Sequence, residues 1–452
     1  MKILKKSYEM SIPKNVLEIC EILEKNGEEA WVVGGCVRDI LISKTPNDWD
    51  ITTSANPDKV ISLFGKSFGN GINFGIPFIH YKGETYEIAQ FRKDLNCDGR
   101  HCETMVANGI NEDLLRRDFT INAIAYRPIT KEIAYPETSL HDLDNKIIRC
   151  VGNAKERFQE DALRVLRMYR FAATLNFDIE IETRMAAKYI VKENMLKVLS
   201  GERIKKEFTK ILISEKPSIV LFKMKEDGTL GNLFPELTKT FDFEQKNLHH
   251  CYNVFEHLVE TVDNIPNSVE MRYAALFHDI AKPTVCVEDK KGYRHFPNHA
   301  HLSLEMVEPI LRRLTFDNES REKVLSLINY HDTNITSFNS MKKFCSKHGV
   351  NFAREIIVIR RADVLSQSMY QRFEKLSMLD DMLSWIEQIE LQNSAITLKS
   401  LNFKGKDLIA LGLKPSPKFS EILQTLLDEV LDDKLNNTYE DLLVRAKEMI
   451  TL

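Results

Sequence analysis

Gly34-Gly35-Cys36-Val37-Arg38-Asp39, followed ten residues beyond Arg38 by Asp48-Trp49-Asp50, is the stretch on which the reading of this chain turns. Ala30-Trp31-Val32-Val33 before it has the β-branched and aromatic character of a strand, and the two glycines lead straight into a helix. Glycines there let backbone N–H groups approach a phosphate. The helix N-terminus adds positive partial charge, and Arg38 one turn in can pair with phosphate oxygens. Taken alone, a Gly-Gly turn before a helix is common and unspecific. If Asp48-Trp49-Asp50-Ile51-Thr52 is extended, residues i and i+2 share a face and the two carboxylates converge. Such a pair suits Mg²⁺, which takes few protein carboxylates and completes its shell with water and substrate phosphate.

Working outward, Val16, Ile19, Ile22 and Leu23 mark a first helix that Asn26-Gly27 stops. Phe78-Ile79-His80-Tyr81 and Thr85-Tyr86-Glu87-Ile88-Ala89 read as two further strands joined through Lys82-Gly83. Glu87 is then either a third carboxylate beside Asp48 and Asp50 or a solvated acid on an edge strand. Arg116-Arg117-Asp118-Phe119-Thr120-Ile121-Asn122-Ala123 sets arginines, a carboxylate and an amide beside an apolar run, the groups that a ribose and a triphosphate together require. Glu160-Asp161-Ala162-Leu163-Arg164 is expected to open a helix continuing through Arg167 and Arg170, with Asp161 and Arg164 on one face. From about Ala154 onward the pattern is helical almost without break.

Composition sets the bounds. The 452 residues carry 62 Lys+Arg against 66 Asp+Glu, a net charge of −4, so any polyanion site must be local. No apolar run is long enough to span a bilayer and the first residues lack the apolar core of a signal peptide, which predicts a cytoplasmic protein with no membrane partner. The eight cysteines form no CxxC pair, and reduced, mostly buried thiols are expected.

In order and spacing, GGCVRD, DWD, RRDFTINA and EDALRVLR resemble the class II tRNA nucleotidyltransferase and poly(A) polymerase family. The resemblance implies an α+β fold: a polymerase β-type nucleotidyltransferase head, with a small mixed sheet and helices, followed by an all-α body. It implies that Asp48 and Asp50 hold catalytic Mg²⁺, with Glu87 helping to position the metal or the attacking hydroxyl. Gly35, Arg38, Arg117, Arg167 and Arg170 would contact phosphates or sugar, with Asp118 at the ribose. It further implies that Asp161 and Arg164 read the base, since cytosine and adenine both set an exocyclic amine beside a ring-nitrogen acceptor, whereas uracil and guanine reverse that order. Tyr135-Pro136-Glu137-Thr138-Ser139-Leu140-His141-Asp142-Leu143 departs from the family's hinge motif by lacking its acid and glycines, which weakens the expectation of A addition. The loop of residues 93–111, of normal length, favours it. Gly201-Glu202-Arg203-Ile204-Lys205-Lys206-Glu207 resembles the family's neck motif, with Ser200 as N-cap and a supporting role.

Further on, His257, His278-Asp279, His299, His331 and Asp363 form a mixed imidazole and carboxylate set. Histidine and aspartate after an apolar helical run are costly to bury unpaired, which favours a ligand role, although any one such histidine is commonly a satisfied helix or loop residue. The set resembles the HD phosphohydrolase superfamily. By that resemblance His257, His278, Asp279 and Asp363 bind a divalent metal, supplemented by His299 and His331, and a second, HD-domain metal is expected. The segment from Phe403 to Pro415 resembles the tail of HD-bearing CCA-adding enzymes.

The expected organisation is a head over residues 1–152, a helical neck over 153–240, an HD domain over 241–391 and a helical tail over 392–452. The expected activity is CCA addition to tRNA from CTP and ATP. The alternatives are a poly(A) polymerase, an HD phosphohydrolase whose head only binds nucleotide, and a catalytically silent RNA-binding protein.

Overall fold

The computed structural model describes residues 2–65, 77–95, 97, 99, 103–391 and 397–451. It divides into two compact units, Met1–Pro235 and Glu236–Leu452. The break falls where helical periodicity lapses in the sequence, near residues 235–243.

The first unit opens with β1 (Ile3–Ser7), α1 (Lys14–Lys25), β2 (Ala30–Val33), α2 (Gly35–Leu41), β3 (Asp50–Thr53) and α3 (Pro57–Phe64). It continues through β4 (Phe78–Tyr81), β5 (Glu84–Gln90), β6 (Arg92–Leu95), β7 (Glu103–Val106), α4 (Ile110–Leu115), β8 (Ala125–Arg127) and β9 (Glu132–Pro136). The main sheet has the order β1-β9-β8-β2-β3-β5-β4, and its one parallel pair is β3 with β5. The strand expected over 48–52 is shifted. It begins at Asp50, so Asp48 lies in the segment just before the strand. β2, in the middle of the sheet, is buried along its whole length, with Trp31 fully enclosed. Truncating such a side chain costs about 3–5 kcal/mol.

Helices follow: α5 (Ser139–Asp144), the short strand β10 (Ile147–Ile148), α6 (Ala154–Glu160), α7 (Leu163–Leu175), β11 (Asp178–Ile179), α8 (Ile181–Lys192), α9 (Gly201–Leu212), α10 (Pro217–Glu226) and α11 (Thr229–Leu233). Asn153 caps α6 by accepting from the N–H groups of Lys155 and Glu156, and Ser200 caps α9 as expected.

Among its described residues the second unit has helices and one short ribbon as its regular elements. It comprises α12 (Val254–Asp263), α13 (Val269–Phe277), α14 (Lys282–Val285), the ribbon β12 (Val287–Glu288) and β13 (Arg294–His295), then α15 (His299–Arg313) and α16 (Asn318–Tyr330). α17 (Phe338–His348), α18 (Val350–Leu365), α19 (Arg372–Leu391), α20 (Gly405–Ala410), α21 (Pro417–Leu431) and α22 (Tyr439–Thr451) complete it. An apolar cluster of its own, including Leu401, Phe403, Leu408, Leu426 and Leu442, gathers the last three helices. Among the described residues no helix is long and apolar enough to cross a membrane.

Candidate active sites

A cavity of about 590 Å³ opens where the C-terminal end of β2, the start of α2, β3, β5 and α7 come together. At Gly34 the chain turns with φ +82°, and a Cβ there would stand 3.1 Å from Nη1 of Arg117, so only glycine fits. Arg38 is largely buried. Its Nη1 donates to Asn122 Oδ1 at 2.6 Å and its Nε to Asp39 Oδ1 at 2.8 Å, which fixes the guanidinium at the cavity edge.

Asp50 and Glu87 sit opposite each other in the parallel β3–β5 register, and both line the cavity. Desolvation raises the pKa of Asp50, Arg117 opposes the rise and the nearby charge of Asp48 adds to it. Glu87 is likewise raised by desolvation and then by Asp50, against Arg92 and Arg117. Asp48 therefore acts on Asp50 from the loop, although it is not among the residues lining the cavity. Acids crowded until they resist ionisation, beside a cavity, are the donor set that a hard divalent cation relieves. They are less tightly gathered than the second unit's ligands, because among the described residues the sets of three or more converging donors both fall there.

Asp118 is buried. Its Oδ2 accepts from Arg167 Nε at 2.7 Å, and its Oδ1 from the Phe119 N–H at 2.8 Å and Asn122 Nδ2 at 3.1 Å. Burial pushes this carboxyl up, but Arg167 and Asn122 more than offset it and hold the pKa at about 2. Arg170 donates to Glu207 of α9 at 2.5 Å and lies 3.8 Å over the Phe171 ring.

The Asp161–Arg164 expectation needs correction. Asp161 is not inside a helix: it is extended (φ −148°, ψ 106°) between α6 and α7, and its carboxylate accepts from Arg203 Nη2 at 2.8 and 3.1 Å and from the Leu163 N–H at 3.1 Å. Arg164 instead donates to Glu160 Oε2 at 2.6 Å and to the carbonyls of Arg157 and Arg116, each at 3.1 Å. Both residues line the cavity, side by side and each separately braced. Part of the bracing comes from the 93–111 loop, where the Gly99 carbonyl accepts from the Ala162 N–H at 3.0 Å. Residues 96, 98 and 100–102 of that loop lie outside the described residues. Cys20, Cys36, Cys150, Cys251, Cys286 and Cys345 are free, and four of these six are buried.

Arg92, Arg116 and Arg203 also line the cavity, although the resemblance gave none of them a contact with the nucleotide. Arg203 stood in the neck motif and Arg116 beside Arg117, so a signal existed for both. Arg92 had none, and its buried Nε has no hydrogen-bond partner among the described residues.

In the second unit all six expected metal-ligand candidates converge. Each histidine donates Nδ1–H to a backbone carbonyl: His257 to Ser366 at 3.1 Å, His278 to Ala275 at 2.8 Å, His299 to Phe296 at 2.8 Å and His331 to Ile328 at 2.7 Å. A carbonyl only accepts, so Nδ1 carries a proton in each ring and Nε2 is the nitrogen that can give its lone pair to a metal. His257 Nε2 lies 2.9 Å from Asp363 Oδ1 and 3.4 Å from Asp279 Oδ2, and His278 Nε2 lies 3.3 Å from the same Asp279 oxygen. The other oxygen, Asp279 Oδ1, faces His299 at 3.1 Å and His331 at 3.6 Å. Two donor sets thus share one bridging carboxylate. Nε2 of His257 and His278 and Oδ1 of Asp279 are buried with no well-formed hydrogen bond among the described residues, the mark of a site shaped for metal. Without metal, burial pulls His278 down but Asp279 and Asp363 outweigh it and push its pKa up to about 10. His250 lines a cavity together with Asp279, His299, His331 and Asp363, has its pKa lowered to about 2 by burial, and was not anticipated.

Three family profiles match the chain in order: the poly A polymerase head domain over residues 30–149, the probable RNA and SrmB-binding site of polymerase A over 176–241, and the HD domain over 247–368. A CCA-adding enzyme of Staphylococcus haemolyticus is 30% identical over 442 residues, covering 96% of this chain and 97% of that one. That of Lactobacillus helveticus is 44% identical over 200 residues, 43% of this chain and 49% of its own. Among solved structures, the CCA-adding enzyme of Bacillus stearothermophilus in complex with CTP aligns with a TM-score of 0.73 at 25% identity, covering 97% of both chains. The Thermotoga maritima enzyme complexed with tRNA_CCA shares the fold, with a TM-score of 0.62 at 20% identity and full coverage of both chains at 100%. Similarity that runs through nearly the whole of two chains describes the protein and not one of its domains: this chain belongs to the CCA-adding enzymes, a family of metal-dependent tRNA nucleotidyltransferases.

Proposed function

We propose that the protein adds C, C and A to the 3′ end of tRNA from CTP and ATP, without a nucleic-acid template, by Mg²⁺-dependent in-line nucleotidyl transfer. The observation that carries this reading is the head cavity itself, which Asp50 and Glu87 line together with Arg38, Arg117, Arg167 and Arg170 and with Asp161 and Arg164. Asp48 and Asp50 are the ligands assigned to Mg²⁺, and the ion supplies Lewis-acid stabilisation of charge on the transferring phosphoryl group. Glu87 steers the metal or the attacking hydroxyl.

Gly35, Arg38, Arg117, Arg167 and Arg170 hold the phosphates and sugar, with Asp118 keeping Arg167 aimed at the ribose side. Asp161 accepts from the exocyclic amine of cytosine or adenine, and Arg164 donates to the ring nitrogen beside it. The tRNA 3′-hydroxyl attacks the α-phosphorus and pyrophosphate leaves. The helical neck, HD and tail segments, over 153–240, 241–391 and 392–452, receive the acceptor arm by shape and backbone contact. The cytoplasm, where tRNA, CTP and ATP meet, is the compartment that fits this reading. Incubation with tRNA lacking CCA, Mg²⁺ and each labelled triphosphate is the test. A product three nucleotides longer is expected, whereas a long A tail identifies a poly(A) polymerase and no extension rejects both.

A second reading is favoured by the tethered imidazoles. Four histidines with Nδ1 anchored and Nε2 presented to a shared Asp279 support a metal-dependent phosphohydrolase in the HD domain. Hydrolysis of bis(p-nitrophenyl) phosphate on adding Mn²⁺ or Ni²⁺, lost in His278→Ala, is expected. Hydrolysis indifferent to both rejects it.

A further inference from the structure

Asp113 lies on α4 with no exposed surface, next to Ile110 and Leu114, which enter the core beneath the sheet. A carboxylate in that position must be compensated, and the compensation is unusually complete. Its Oδ1 accepts from Arg116 Nη2 at 2.9 Å and Nε at 3.1 Å, and from the Arg92 N–H at 3.3 Å. Its Oδ2 accepts from Arg117 Nη2 at 3.1 Å and Nε at 3.4 Å. α4 ends at Leu115, with Arg116 as its C-cap residue, and the chain leaving the helix there folds both guanidiniums back onto the single acid. All three of its arginine partners line the head cavity, whereas Asp113 does not.

The arrangement leaves an asymmetry. Asp113 takes both guanidiniums at hydrogen-bond distance, while the second acid near them, Asp94, stands 3.9 Å from Arg116 and 3.7 Å from Arg164. With Nε and Nη2 of Arg117 occupied, Nη1 is its remaining nitrogen, and it is the atom that comes closest to the Gly34 turn. The Arg116 carbonyl in turn accepts from Arg164 at 3.1 Å. A shift of Asp113 would therefore move a phosphate-side arginine and a brace of the base-reading one together.

We propose that Asp113 is the positioning residue of the triphosphate subsite: it makes no contact with the nucleotide but holds Arg116 and Arg117 in the orientation that receives the β- and γ-phosphates. This rests on the nucleotidyl-transfer reading of the cavity. Asparagine at this position keeps the size, but its single carbonyl oxygen serves one arginine and its amide group confronts the other.

The test uses the full chain and two probes: CTP in steady-state tRNA extension, and inorganic tripolyphosphate in direct calorimetric binding. For Asp113→Asn the KM for CTP and the Kd for tripolyphosphate are both expected to rise roughly ten- to a hundredfold. Turnover at saturating CTP should stay within about threefold, and the KM for tRNA should not move. Asp113→Glu retains the charge and should recover most of the lost affinity. It also carries the test if the asparagine variant does not fold, in which case a smaller rise in both constants is expected. A purely structural residue would lower turnover in proportion to folded protein and leave both constants alone, and that result overturns the proposal. Tripolyphosphate binding needs no RNA, so a parent protein that fails to extend tRNA rejects the activity without deciding the role of Asp113.

Discussion

Replacing Asp161 by alanine removes the accepting half of the pair assigned to base reading. Against uracil or guanine a carbonyl would oppose the Asp161 carboxylate and an N–H would oppose the Arg164 guanidinium. Each buried polar group left unmatched costs about 1–3 kcal/mol. The carboxylate accounts for one of the two mismatches, so its loss should relax discrimination by about 1–3 kcal/mol, or roughly 5- to 150-fold in the ratio of kcat/KM for CTP over UTP. Absolute rates will fall as well, because the same carboxylate accepts from the Leu163 N–H at the start of α7 and from Arg203. That loss is common to all four nucleotides and cancels in the ratio. Asp161→Asn should admit UTP more readily than Asp161→Ala, since a carboxamide can turn its amine toward a uracil carbonyl. The assay is single-nucleotide extension of tRNA lacking CCA with each triphosphate separately. Ratios unchanged in both variants, with only the rates reduced, would refute the base-reading role.

Other consequences follow from the same geometry. Asp50→Asn should reduce nucleotide addition by roughly a thousandfold or more while leaving tRNA binding in a gel-retention assay close to that of the parent, and surviving addition would remove the metal assignment. Asp118 is held at about 2 against an ordinary value of 3.8, so it contributes about 2 kcal/mol of stability above its unfolded pKa, lost as pH falls through the folded one. Urea unfolding of Asp118→Asn should accordingly lack that acid-side loss between about pH 5 and pH 2. In chelator-treated protein His278 is raised to about 10, so its contribution is present below its unfolded pKa of 6.5 and disappears as pH rises through that folded value. Melting of the chelated protein should drop over that window, and added Mn²⁺ should restore it more strongly at higher pH, where protons no longer compete for Nε2. His278→Ala should abolish the Mn²⁺ response and leave nucleotide addition intact.

Residues whose chemistry is local were readable in the sequence: the glycines before α2, the RRD cluster and the His and Asp ligand set. Placement was harder wherever a distant partner decides it. EDALRVLR carries uninterrupted helical periodicity, yet Asp161 stands outside a helix because the Gly99 carbonyl, more than sixty residues back, takes the Ala162 N–H and Arg203 takes the carboxylate. Asp48 falls before the strand because pairing with Glu87 begins only at Asp50. β1, with the sequence ILKKS, is a lysine-bearing edge strand with little alternation to announce it, and β8 has only three residues. Asp113, next to the half-buried Glu112, was not singled out in the sequence. Its burial follows from Arg116 and Arg117 folding back over it.

The central claim is that Asp48 and Asp50 hold the catalytic ion beneath a nucleotide whose base meets Asp161 and Arg164. Crystals grown with Mn²⁺ and a non-hydrolysable CTP analogue test it directly through anomalous scattering. A manganese peak bonded to both aspartates and to the analogue's phosphates, with cytosine against Asp161 and Arg164, is the predicted result. Manganese confined to the histidine cluster of the second unit, with the head carboxylates bare beside bound analogue, would contradict it.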